Sequence, residues 1–162
     1  MTRIEADAET RRRVNMLTDD LTAMLGRDSP ESQIMARRVI HRGLELRAYY
    51  GANMPGLLHN GAVGIGVRPR GKCCHWARDL LDHLKEVKWA DFDLYWGVAN
   101  FGTPFEHSCI VATPHGEPFD RGMVFDAWRH SGFVYWTRVG NDGWEWEPHP
   151  LAGPDVHIAC SD

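Results

Sequence analysis

Apolar residues recur at helical spacing through the first half of the chain and alternate with polar ones through the second. Val14, Leu17, Leu21 and Met24 predict a helix from about Glu5 to Leu25, closed by Gly26. Ser29-Pro30-Glu31 predicts the next helix start, with Ser as N-cap and Pro at the first helical position. That helix runs to about Tyr50. Ile34, Met35, Val39, Leu44 and Leu46 form its apolar side, and Arg37, Arg38, Arg42 and Arg47 its exposed side. The basic run from Thr10 to Arg13 reads as a solvated face. A third helix is expected from Cys73 to about Lys88. At about 100° per residue, Trp76, Ala77, Leu80, Leu81, Leu84 and Val87 fall on one arc. Cys73 lies near the middle of that arc, Cys74 lies at its edge and His75 points away.

The period then changes to two. Phe92, Leu94, Trp96 and Val98 alternate with Asp93, Tyr95 and Gly97, which predicts a strand. Further strands are expected at His107–Thr113, Gly122–Trp128, Phe133–Val139 and Trp144–Glu147. Gly- and Pro-containing turns separate them. Helices followed by consecutive short strands give an α+β order with an antiparallel sheet. No composition shift splits the chain, so residues 1–162 read as one domain. Residues 1–50 form a helical layer, 51–72 a Gly-rich loop with a short extended piece at Val63–Val67, and 73–147 the third helix and the sheet. From Pro148 the tail is Pro-rich and irregular. The Gly-rich loop delivers the chain to Cys73, and long loops inside small domains are commonly functional. His59 and Asn60 are its polar candidates.

Composition narrows the classes. Apolar residues make up 43% and charged residues 25% of 162, which suits a globular domain with a sizeable core. The net charge of −4 argues against a partner held by a basic field, so no nucleic acid is expected. No apolar run is long enough to span a membrane. Met1–Arg13 has no apolar export core, so a cytoplasmic location is the default expectation, although a trimmed leader would leave the same pattern. Cys73, Cys74, Cys109 and Cys160 are too sparse for a disulfide scaffold and do not form paired CxxC knuckles. Seven tryptophans are enough to wall a groove, although core packing is their commoner fate.

Candidate chemistry centres on Cys73. A thiol in the first turn of a helix meets unpaired backbone N–H groups and the positive end of the helix dipole. A hairpin register symmetric about Gly116–Glu117 sets His107 directly opposite Asp126, on one sheet face. The Asp would orient the imidazole and favour its charged form. If the helix lies across that face, Cys73, His107 and Asp126 supply nucleophile, base and orienter for acyl transfer. Plainer readings are a small buried thiol, a surface His beside a turn and a buried Asp with a structural partner. A zinc cluster of Cys73, Cys74, His75, His107 and Cys109 is disfavoured, because His75 points away from Cys73 and adjacent cysteines rarely share one zinc.

The run Gly71-Lys72-Cys73-Cys74-His75-Trp76-Ala77 resembles the catalytic-cysteine motif of the transglutaminase-like (papain-like) superfamily. Glu106-His107-Ser108 and Val124-Phe125-Asp126-Ala127-Trp128 resemble its later His and Asp motifs, in the same order. The resemblance spans Gly71 to Trp128, and the Gly-rich lead-in is similar to that of uncharacterised bacterial members. It implies a papain-like core, a Cys73–His107–Asp126 triad, a thioester intermediate and no cofactor or metal. It implies attack on an amide or ester, with water or an amine as acceptor; the expectation here is a peptide or protein substrate, with hydrolysis favoured over cross-linking. Position 74 departs from the family, holding Cys where members often have Trp. Relatives help hold the oxyanion with an upstream Gln or aromatic residue, and the one Gln here is Gln33, far upstream. The Cys73 N–H would serve as one donor. Asn60, Tyr95 and Trp96 are candidates for the second donor or for substrate contacts. The alternative is a catalytically idle domain of the same fold that binds a peptide or protein partner.

Overall fold

A computed structural model describes residues 1–51 and 73–151. Three helices, α1 (Arg3–Leu25), α2 (Pro30–Tyr50) and α3 (Cys73–Lys85), pack on a five-stranded antiparallel sheet. The strands are β1 (Phe92–Ala99), β2 (His107–Pro114), β3 (Met123–Asp126), β4 (Tyr135–Arg138) and β5 (Glu147–Pro148), in spatial order β4-β3-β2-β1-β5. The α+β order expected from the residue pattern is the order of the chain. The Gly-rich segment, with Val63–Val67, His59 and Asn60, lies outside the described residues, as does the end of the tail. No helix among the described residues is long and apolar enough to cross a membrane.

Local signals set the helix ends. Thr2 and Glu5 form a capping box, and Ser29 accepts from the Glu31 N–H at 3.1 Å. The Glu31 carboxylate also accepts from the backbone N–H groups of Ala90 and Asp91, at 2.8 Å each, tying the start of α2 to the approach to β1. Gly26 closes α1 with a φ of 73°, a conformation that costs glycine little. The basic residues do more than meet solvent. Arg13 donates to the Val134 carbonyl, Arg38 to that of His83 and Arg47 to that of Ser131. Their long stems let them lie over the core edge while their heads reach carbonyls.

The main core lies between the helices and one sheet face. Leu17, Leu21, Met35, Val39, Ile40, Trp76, Leu80, Leu84, Trp96, Ile110 and Phe125 are buried there. Each such aliphatic side chain contributes about 1.5–3 kcal/mol by leaving water. Trp76 meets Tyr50 edge to face at 4.7 Å, joining α3 to α2. Close backbone contact brings α2 to the β3–β4 turn. A Cβ on Gly43 would stand 2.5 Å from the Gly132 carbonyl oxygen. The opposite sheet face carries a second cluster of Ala99, Cys109, Val111, Val124 and Trp146.

The third helix departs from its simple projection. Cys73 is half-buried, Cys74 packs partly against the main core, and His75 is buried rather than pointing away. Here α3 has two neighbours, the sheet and α2. Tyr50 donates to the His75 carbonyl at 3.4 Å and to the Asp79 carboxylate. The buried arc is therefore wider than one flat contact would make it.

Candidate active site

The site forms where the start of α3 meets the start of β2. The Asn100–Glu106 turn returns the chain, and His107 opens β2 opposite Ala99. Alternation then places His107, Cys109 and Val111 on the face turned away from the helices, so α3 does not lie across the His107 face as expected, and only its first residue, Cys73, bears on the ring. Asp126 ends β3 on that same face. The expected direct pairing of His107 with Asp126 is not the observed one. Ile110 pairs with Phe125 and Val111 with Val124, a register that sets Asp126 across from Cys109, two positions along from His107. The short 3-10 turn at Phe119–Arg121 takes up the difference within the connection. A shift of two keeps the face. The side chains bridge the diagonal, with His107 Nε2 2.8 Å from Asp126 Oδ2.

Asp126 also ends the strand that carries it. Its Oδ1 accepts from the backbone N–H groups of Trp128 at 3.1 Å and Arg129 at 3.0 Å, folding the chain out of the sheet before the expected Trp128 end. Its Oδ2 accepts from Arg129 Nε at 3.1 Å besides His107. The carboxylate is fully buried, and these four donors offset its desolvation.

Aromatic rings enclose the imidazole. Ring centroids of Trp128, Trp144 and Trp146 lie 4.5, 4.7 and 5.1 Å from that of His107, which is 2% exposed. Burial opposes the charge on the ring. The Asp126 hydrogen bond and charge outweigh it, with Cys73 adding to them, and the His107 pKa is raised to about 9. With Nε2 taken by Asp126, Nδ1 is the nitrogen left for the thiol. Nδ1 is buried and has no fully formed hydrogen bond among the described residues. The Cys73 sulfur stands 3.8 Å from the Glu106 carbonyl oxygen, beside His107 in sequence.

The cysteines separate by environment. Cys73 and Cys109 are free, and Cys74 is disulfide-bonded. The two adjacent thiols expected from the sequence are therefore one thiol and one half of a disulfide. Burial, with Asp126 and Asp142 nearby, pushes the Cys109 thiol well up and keeps it protonated. No group of three or more His, Cys, Asp or Glu side chains among the described residues is arranged to hold a metal ion.

The other candidates are not gathered at this point. Tyr95 shares the His107 face but pairs with Val111, roughly 13 Å along β2 at strand rise, and its ring meets Phe119. Trp96 faces the helices, across the sheet, and its indole N–H is buried without a partner among the described residues. Asn60 lies outside the described residues. Sequence reasoning missed Arg129, Asp142, Trp144 and Trp146. The spacing of Asp126 to Arg129 and the Asp142-Gly143 turn were legible signals. Nothing local says that the turn folds back onto His107.

Compared with protein-family models, curated proteins and solved structures, the chain matches none.

Proposed function

We propose that this protein is a cysteine-dependent acyl-transfer enzyme with a transglutaminase-like, papain-like core. Its substrate is an amide or ester of a peptide or protein, and hydrolysis is favoured over cross-linking. The observation that carries the reading is the buried His107, with Nε2 2.8 Å from Asp126 and its other nitrogen left for Cys73.

The roles follow from that geometry. His107 takes the Cys73 proton at Nδ1, and Asp126 stabilises the resulting imidazolium. The thiolate attacks the substrate carbonyl, and the oxyanion develops near the first turn of α3, where the Cys73 N–H is one available donor. Collapse of the tetrahedral intermediate breaks the C–N or C–O bond, and His107 protonates the departing amine or alcohol. A thioester remains on Cys73. His107 then draws a proton from water, whose oxygen attacks the thioester. The carboxylic acid leaves and the thiol is restored. The cycle needs no cofactor.

Incubation with p-nitrophenyl acetate tests this. The expected result is a burst of p-nitrophenolate with one acetyl group on Cys73, read by intact mass and peptide mapping. His107→Ala slows that acylation by about 100-fold or more. Acylation scattered over surface groups, or unaffected by removing His107, contradicts the reading.

A further inference from the structure

A second carboxylate is joined to Asp126 through Arg129. Asp142, in the turn after β4, has a side chain 1% exposed. Its Oδ2 accepts from Arg129 Nη2 at 2.7 Å and from the Trp146 indole at 3.3 Å, and its Oδ1 accepts from the Trp144 backbone N–H at 2.8 Å. Arg129 gives Nε to Asp126 and Nη2 to Asp142, so one guanidinium joins the two carboxylates. Its plane is steadied over the Tyr135 ring at 4.2 Å. Trp144 and Trp146, anchored by Asp142, are two of the three walls around His107.

We infer that Asp142 is a positioning residue: through Arg129 and the two tryptophans it anchors, it sets the charge and orientation of His107. This rests on the proposed role of His107 for its functional meaning, but not for its test.

The charges give the reason. Asp126 and Asp142 contribute two negative charges, and Arg129 contributes one positive. The cluster is neutral when His107 is protonated and carries −1 when it is not. A buried cluster disfavours uncompensated charge, so Asp142 acts to keep the proton on His107. Without Asp142, Arg129 would neutralise Asp126 alone and weaken its pull on the ring. The field of Asp142 reaches this interior, since it helps raise the Cys109 thiol on the same sheet face. The other group that bears on His107 is Cys73 from α3, whose sulfur lies beside the backbone carbonyl of Glu106, the neighbour of His107 in the chain. The Glu106 carboxylate turns to the Gly102 N–H at 2.8 Å and also bears on His149, after β5.

The test is the titration of His107 itself, followed by NMR in the histidine-labelled full chain and assigned by its loss in His107→Gln. Asp142→Asn keeps the shape and an acceptor oxygen but removes the charge, and the expected shift is about one pH unit downward. Arg129→Gln removes the cation shared by the two carboxylates and strengthens the pull of Asp126 on the ring, and the expected shift is upward. Shifts of opposite sign from two touching residues are not what general loosening produces. Unmoved titrations, shifts of the same sign, or loss of the fold in both variants would overturn the inference. If one variant fails to fold, the sign of the other decides. The readout needs no turnover, so it stands apart from the esterase burst. A shift without a burst would count against the enzyme reading alone, and a burst without a shift against Asp142 alone.

Discussion

Asp126 reaches His107 along the diagonal of the β2–β3 pair, with Oδ2 2.8 Å from Nε2 although the register places Asp126 opposite Cys109. The carboxylate is therefore held three ways, by the ring it orients, by the backbone turn it caps and by the Arg129 guanidinium. The turn fixes where the ring sits, and the ring's remaining nitrogen is left for α3.

Asp126→Asn tests this pairing. The amide keeps the shape and loses the charge that offsets the imidazolium. The rate of Cys73 alkylation at neutral pH is expected to fall by about 100-fold, with a stability cost of about 1–3 kcal/mol because the buried hydrogen bonds to Asp126 lose their charge while Arg129 keeps Asp142. Iodoacetamide kinetics and urea unfolding measure the two. An unchanged rate in a folded variant would remove Asp126 from the chemistry.

Stability should depend on pH through His107. Its pKa in the folded chain is about 9, above the free value of 6.5, so folding binds this proton more tightly. The contribution is complete below about pH 6.5 and is lost as pH rises through 9, and it amounts to roughly 3 kcal/mol at most. Melting temperatures should fall across that window, and His107→Gln should flatten the fall. The same slope in the variant would assign it to other groups.

The three cysteines of the described residues should separate by reagent. Under native, non-reducing conditions Cys73 takes the label. Cys109 labels only on unfolding, and Cys74 only after reduction. Peptide mapping reads this directly, and native labelling at Cys109 would mean that the face beneath His107 is open.

Gly43→Ala tests the contact that seats the helical layer. The new Cβ would meet the Gly132 carbonyl oxygen at 2.5 Å and the Val134 side chain at 2.6 Å. The carbonyl cannot yield cheaply, so a loss of about 1–3 kcal/mol is expected in urea unfolding. Gly143→Ala, with nothing within 4 Å among the described residues, should change stability little.

Much of this fold was legible because its signals are local. Ser29-Pro30 starts α2 and Gly26 closes α1 where the sequence places them. The period-two run marks β1, and the apolar run between two turns marks β2, each to within a residue at its ends. The register was less legible, because the connection between β2 and β3 can absorb a shift of two without any change in facing. Strand β5 illustrates the limit. Trp144 to Trp146 alternates like a strand, but the turn held by Asp142 spends those residues around His107, and pairing with β1 begins only at Glu147. His75 was misplaced because a projection onto one surface ignores α2. Arg129 and Asp142 went unseen because their partners come from other parts of the chain.

The most direct measurement is the rate of Cys73 alkylation at neutral pH against that of a free thiol, with the label located by mass spectrometry. Cys73 is expected to be alkylated faster than a free thiol at neutral pH, as a thiolate held by His107 as its cation. That advantage is expected to vanish in His107→Ala. Alkylation no faster than that of a free thiol, with or without His107, would contradict the triad and leave an inactive domain of the same architecture.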